Sequence, residues 1–99
     1  MNQPQMPTPR QAVLLVAEKV ITGERADSYG DPENNFDAIA RLWTEYLGTS
    51  ITSTEVAGMM ILLKLARSRT SPGEIDHYVD MAGYAALMWE VSPRERESS

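Results

Sequence analysis

The feature that most constrains the fold is a pair of helix-start patterns separated by the length of one helix. The segments Thr52–Glu55 and Ser71–Glu74 both match the capping box, in which a Ser or Thr and a Glu three residues later satisfy each other's backbone N–H groups. They predict one helix from about residue 53 to 68 and another from about 72 to 91, ending before Pro93. Because the connection is so short, the two helices are predicted to form an antiparallel hairpin.

Two earlier helices are predicted over residues 9–22 and 32–47. Each begins with proline after a capping side chain, carries apolar residues at helical spacing and ends before a glycine. The cap, the proline and the glycine are Thr8, Pro9 and Gly23 in the first helix, and Asp31, Pro32 and Gly48 in the second. No segment alternates apolar and polar residues as a strand does.

These patterns predict an all-α, compact four-helix domain over residues 9–92. Residues 1–8 are expected to be a flexible lead, and residues 93–99 a frayed tail. The helix over 53–68 has apolar residues on all sides, which is typical of a helix that is buried all round. Four helices cannot cover it completely, so we expect the chain to form a homo-oligomer through its helices.

Composition excludes several classes of function. The formal charge of −5 makes DNA an improbable partner, because binding to phosphates needs clustered cations. The chain has no cysteine, which excludes thiolate metal sites and disulfides. No apolar run has the roughly 18 residues that a membrane span needs. We therefore expect no membrane partner.

A turn centred near Thr70 would place Gly58 opposite Gly83, which predicts a close crossing of the two helix backbones. The same register would bring Lys64 and Arg67 close to Asp76 and Asp80.

Two interpretations of these four charged residues stay open. They form interhelical salt bridges, or they line a polar pocket for a phosphate-bearing ligand, where Asp76 and Asp80 could hold Mg²⁺. No other cofactor is indicated. The lone histidine, His77, is expected to be solvated or hydrogen-bonded.

The order of several short motifs resembles small phage and prophage proteins of unassigned function, and is similar to the nucleotide modification associated domain family. The resemblance covers about residues 20 to 90. The motifs that carry it are Arg25, Tyr29–Asp31, Asn35–Phe36, Ile39–Ala40, Leu42–Trp43, Lys64–Arg67, Asp76 and Val79–Tyr84. Those proteins look distantly related to all-α nucleotide pyrophosphohydrolases of the MazG type. The resemblance implies a phage accessory protein in the cytoplasm of an infected bacterial host.

The carboxylate pattern of the MazG type is incomplete in this chain. Its Glu-Glu-x-x-Glu run is absent, and Gly58 stands where Glu-x-x-Asp would need aspartate after Glu55. The resemblance therefore implies nucleotide binding more than hydrolysis, and the enzyme question stays open, leaning to no enzyme. On this reading Tyr29 stacks on a base and Arg25 meets a phosphate; alternatively, Tyr29 to Pro32 is a turn with a helix cap.

Three functions follow from this reading. The leading hypothesis is binding of a nucleotide or a nucleotide-derived signal, for sequestration or for nucleotide metabolism. The predicted ligand-binding residues are Arg25, Tyr29, Lys64, Arg67, Asp76, Asp80 and Tyr84, of which Asp76 and Asp80 are the metal candidates. The first alternative is a protein-binding module acting on a host or phage protein. The second is a weak Mg²⁺-dependent pyrophosphohydrolase that uses Glu33, Asp37, Asp76 and Asp80.

Overall fold

The chain folds into α-helices, as the sequence predicts. A computed structural model describes residues 5–23 and 32–98, and this part contains four helices and no strand. The helices are α1 (Pro9–Thr22), α2 (Pro32–Leu47), α3 (Ser53–Thr70) and α4 (Ile75–Ser98). The first two have the predicted bounds. None of the described helices is long and apolar enough to cross a membrane.

Local capping explains where α1 and α3 begin. At α1, Thr8 N donates to Gln11 Oε1 at 2.8 Å, and Gln11 N donates to Thr8 Oγ1 at 3.3 Å. At α3, Thr52 N donates to Glu55 Oε1 at 3.0 Å, and Glu55 N donates to Thr52 Oγ1 at 3.1 Å. Both are complete capping boxes, so each helix start is fixed by four consecutive residues.

The main hydrophobic core lies between α2, α3 and α4. Helix α4 also packs against α1, while α2 packs mainly against α3. The buried residues of this core are Phe36, Ala40, Val56, Ala57 and Val91. Four of the five are small or medium aliphatic side chains, so Phe36 contributes the only large aromatic surface among them.

Two polar contacts join α2 to the segment at the start of α3. The Ser53 hydroxyl donates to the Asp37 carboxylate. Seven residues further along α2, Thr44 Oγ1 accepts a hydrogen bond of 2.8 Å from the Ile51 backbone N–H. These contacts fix the short connection between α2 and α3 and place the Asp37 carboxylate beside the N-terminus of α3, where helix dipoles favour negative charge.

The turn between α3 and α4 differs from the predicted one. Ser71 is the C-terminal cap of α3, and its N–H donates to the Arg67 carbonyl at 3.3 Å. Glu74 N donates to Ser71 O at 3.2 Å, which closes a turn over Pro72 and Gly73. The second predicted capping box is therefore wrong: these residues form a tight turn, and α4 starts at Ile75 instead of residue 72.

The predicted crossing of Gly58 and Gly83 is also wrong. A Cβ on Gly58 would lie 3.6 Å from Met88 Cε, and a Cβ on Gly83 would lie 3.2 Å from Ile21 Cγ2 of α1. Because the turn is centred on Pro72 and Gly73 instead of near Thr70, the register of the hairpin is shifted. Gly58 lies against α4 near Met88, and Gly83 lies where α4 packs against α1.

This register makes the two glycines differ in their response to alanine. We expect Gly58→Ala to raise the free energy of unfolding by up to about 1 kcal/mol, because alanine favours the helix and its methyl group meets Met88 Cε at an ordinary distance. Gly83→Ala should gain less or lose stability, because Ile21 must move aside. Urea unfolding of both variants measures the difference. A Gly58→Ala variant that is less stable than the parent chain would contradict this register and favour the predicted crossing of Gly58 and Gly83.

Helix α4 continues through Pro93 to Ser98, so the predicted end before Pro93 is wrong. Proline has no N–H for the carbonyl four residues earlier, which is that of Trp89. The Ser92 hydroxyl donates to this carbonyl at 2.9 Å. The neighbouring serine thus supplies the hydrogen bond that proline removes, and a helix end is not required.

Helix α3 is not covered on all sides within one chain. Val56 and Ala57 are fully buried, but Leu62, Leu63 and Leu65, further along the same helix, are exposed. This agrees with the expectation that the four helices of one chain cannot cover α3 completely. The same observation leaves open the predicted self-association, which is taken up below.

Candidate functional site

The inner side of the α3–α4 hairpin holds an ion pair between Lys64 and Asp80. Lys64 Nζ lies 3.0 Å from Asp80 Oδ2, and the two side chains are 20% and 24% exposed. The predicted proximity of these two residues is therefore correct. Lys64 lies six residues before the end of α3 and Asp80 five residues after the start of α4, so the pair stands between one and two helical turns from the connection.

Two further polar residues lie next to this pair and are more deeply buried. Ser68 is one helical turn after Lys64, and His77 is three residues before Asp80, so each shares a helix face with its neighbour. Both residues are buried. Ser68 Oγ donates to the Leu65 carbonyl at 2.7 Å. We refer to Lys64, Ser68, His77 and Asp80 as the hairpin cluster.

His77 is the residue of the cluster whose hydrogen bonding is incomplete. Its side chain is 10% exposed, and Nε2 lies 3.4 Å from Glu74 Oε2. These two atoms do not form a hydrogen bond, and Nε2 has no hydrogen-bond partner among the described residues. A buried polar atom without a partner is rare in folded proteins and is typical of binding sites.

The other charged residues predicted for this site lie at its edge. Arg67 and Asp76 are exposed. Neither forms an ion pair with a residue that the structure describes. They are available to a ligand or to solvent, and the predicted salt bridge between them is absent from the described part of the chain.

Tyr84 has a mainly structural position. It is half-buried, and its ring centroid lies 6.4 Å from that of Phe36, with the planes tilted by 43°. It packs against the core between α2 and α4. Arg25 and Tyr29, the other predicted ligand contacts, lie outside the described residues.

Asp37 and Asp80, two carboxylates of the hydrolase hypothesis, do not meet at one place, and the Glu33 side chain lies outside the described part of the structure. Asp37 contacts Ser53 at the start of α3, whereas Asp80 contacts Lys64, eleven residues later and therefore about 16 Å further along the helix. In the described part of the chain, no three acidic or histidine side chains are grouped as metal ligands. Since Lys64 already occupies the Asp80 carboxylate, this donor set does not fit a resident Mg²⁺ ion.

Sequence reasoning missed the burial of His77. A lone histidine carries no spacing signal, and the turn register placed it near the end of the hairpin. The available signal was its spacing: His77 lies three residues before Asp80, which places it on the side of α4 that meets α3. The bonds from Asp37 and Thr44 to the start of α3 were missed because their partners are distant in sequence.

The chain is similar to phage proteins of unknown function. It is 42% identical over 87 residues to the Gene 55 protein of Mycobacterium phage L5, which covers 87% of this chain and 56% of the relative. It is 43% identical over 81 residues to the Gene 55 protein of Mycobacterium phage D29, covering 82% of this chain and 54% of the relative. The chain thus spans little more than half the length of these relatives.

No solved structure matches the chain. A family model described as a domain of unknown function, DUF6378, matches residues 12–92. This match includes α2 and α3 in full, most of α1 and α4, and the whole hairpin cluster. The chain therefore belongs to the DUF6378 family.

Proposed function

We propose that this chain binds a nucleotide or a nucleotide-derived ligand at the hairpin cluster, as an accessory protein of a phage in the cytoplasm of its bacterial host. The observation that carries the proposal is the mostly buried Lys64–Asp80 pair beside a buried His77 whose Nε2 has no hydrogen-bond partner among the described residues. The similarity of the motifs to the nucleotide modification associated domain family agrees with this class of ligand.

The first step of the argument is energetic. Withdrawing two charges from water costs several kcal/mol per ion in the limit of full burial, and their attraction often fails to offset it. An apolar pair of similar volume would stabilise such a hairpin equally well. The buried core of this chain is small, so polar residues at these positions are better explained by binding than by stability.

The second step is chemical. Lys64 supplies an ammonium group, the exposed Arg67 lies three residues away on the same helix, and His77 offers a ring nitrogen. An ammonium, a guanidinium and an imidazole are donors that phosphate oxygens accept. The ion pair with Asp80 keeps the Lys64 side chain oriented when no ligand is bound. The same carboxylate accepts hydrogen bonds from a base or a ribose.

The test is the melting temperature in the presence of nucleoside mono-, di- and triphosphates, cyclic nucleotides, pyrophosphate and inorganic phosphate, with and without Mg²⁺. A ligand at about 100 times its Kd stabilises the folded state by about 2.7 kcal/mol, which raises the melting temperature of a domain of this size by roughly 10 °C or more. We expect such a rise with at least one nucleotide.

Two variants make this test specific to the site. Lys64→Met should abolish the rise in melting temperature, because it removes the central cation. Arg69→Met removes an exposed cation of the same helix outside the cluster, and should leave the rise unchanged. A panel that shifts nothing, or a shift that Lys64→Met retains, would contradict binding at this site.

A second candidate function is protein binding, which a specific feature of α2 favours. Leu42 and Tyr46 lie one turn apart and are 69% and 90% exposed. Together they form an apolar strip on the side of α2 that faces away from the core, which suits a host or phage protein with an apolar contact surface. If the nucleotide panel gives no shift, and Tyr46→Glu prevents a stable complex with a phage or host protein, this function replaces the first.

A further inference from the structure

The side of α3 that points away from the core is a continuous apolar stripe. Met59, Leu62, Leu63 and Ala66 recur at the spacing of one helix face. Leu62 is 63% exposed and Leu63 is 46% exposed, and Leu65 at the margin is 50% exposed. We refer to these five residues as the α3 outer face.

Among the exposed charged residues of α3, Glu55 and Arg69 stand at the two ends of this face in line with Leu62, and Arg67 stands at its edge beside Leu63. Glu55 lies seven residues before Leu62, and Arg69 lies seven residues after it. Seven residues are about two helical turns, so each charge stands about 10 Å from Leu62 along the axis, on nearly the same side of the helix. The two charges are opposite in sign and equally distant from the middle of the apolar stripe.

We propose that the α3 outer face binds the same face of a second copy of the chain, with the two α3 helices antiparallel and a two-fold axis at Leu62. A two-fold interface places the same patch on both sides. In this arrangement Glu55 of each chain faces Arg69 of the other, and the apolar residues between them are covered. Both ends of the interface then carry one ion pair.

The charges select this arrangement over the alternative. If the two helices were parallel, Glu55 would face Glu55 and Arg69 would face Arg69, and both pairs would repel. A face with both charges of one sign would instead suit an oppositely charged partner. Glu55 and Arg69 are opposite in charge and equally far from Leu62. A helix face with this pattern is complementary to a second, antiparallel copy of itself.

Oligomeric state measured by light scattering tests the face. We expect the parent chain to have the mass of at least two copies, and Leu62→Glu to halve that mass, because two carboxylates would meet at the axis. Leu42→Glu is the matched control, since Leu42 is exposed to a similar extent on α2, and it should keep the parent mass. Circular dichroism verifies that both variants stay helical.

Three results of this experiment would overturn the proposal. They are a monomeric parent chain, an unchanged mass for Leu62→Glu, and an equal loss of mass for Leu42→Glu.

Cross-linking tests the orientation, because the chain has no cysteine of its own. In the antiparallel pair, Met59 of one copy lies level with Leu65 of the other. Met59→Cys and Leu65→Cys proteins carrying tags of different size should therefore form a mixed disulfide dimer several-fold faster than either forms one alone. Faster formation of the two like dimers would show parallel helices and overturn the proposed axis.

Discussion

Replacement of Phe36 by alanine is expected to lower the free energy of unfolding by about 3–5 kcal/mol. Phe36 is 3% exposed and is the only large aromatic residue among the buried core residues of α2, α3 and α4. Its loss removes apolar contacts from all three helices as well as the ring contact with Tyr84. Because domains of this size are stable by only about 5–15 kcal/mol, the variant should be partly unfolded at 37 °C.

Tyr46→Ala provides the control for this prediction. Tyr46 is also an aromatic residue of α2, but its side chain is 90% exposed. Its replacement should change the free energy of unfolding by less than about 0.5 kcal/mol. Urea unfolding monitored by circular dichroism measures both variants. A similar loss of stability in both variants would mean that α2 does not pack against the core through the face that carries Phe36.

The second large effect concerns the hairpin cluster. Asp80→Leu alone should lower the free energy of unfolding by about 2 kcal/mol, because it leaves the mostly buried Lys64 ammonium without its partner. The double variant Lys64→Met, Asp80→Leu removes both charges and replaces them with apolar side chains of similar size. We expect it to be at least as stable as the parent chain, because no charge is then withdrawn from water.

A double-mutant cycle in urea separates these effects. The cycle comprises the parent chain, the two single variants and the double variant. A double variant that is less stable than both single variants would show that the ion pair is required for stability. The cluster would then be a structural salt bridge, and the argument for a ligand there would lose its energetic basis.

Local signals in the sequence were sufficient for most of the secondary structure. The signals that start the helices act within one helical turn, so the residues involved are close together in the sequence. They are the cap at Thr8, the capping box at Thr52 and the prolines at residues 9 and 32. The short connection also predicts an antiparallel hairpin and the approach of Lys64 to Asp80, because two helices joined by a few residues have little choice of arrangement.

The register of the hairpin could not be predicted in the same way. It depends on whether Ser71 ends α3 or begins α4, and both roles suit a serine followed by proline and glycine. The structure uses Ser71 to end α3, which moves the turn by two to three residues. This small shift separates Gly58 from Gly83 and brings His77 inside. The continuation through Pro93 likewise depends on one hydroxyl group, that of Ser92.

Burial of α3 needed knowledge of the whole fold. Its apolar residues surround the helix, and the sequence does not state which of them the other three helices cover. The structure covers Val56 and Ala57 and leaves Leu62, Leu63 and Leu65 of the α3 outer face exposed. The proposed self-association therefore involves the α3 outer face, with a two-fold axis at Leu62.

The central claim is that the hairpin cluster serves to bind a ligand and is not needed for stability. The most direct test compares the nucleotide-dependent rise in melting temperature of the parent chain with that of the Lys64→Met, Asp80→Leu double variant. We predict a rise for the parent chain, and a folded, equally stable double variant that shows none. An equal rise in both proteins, or no rise in the parent chain with any nucleotide, would contradict the claim.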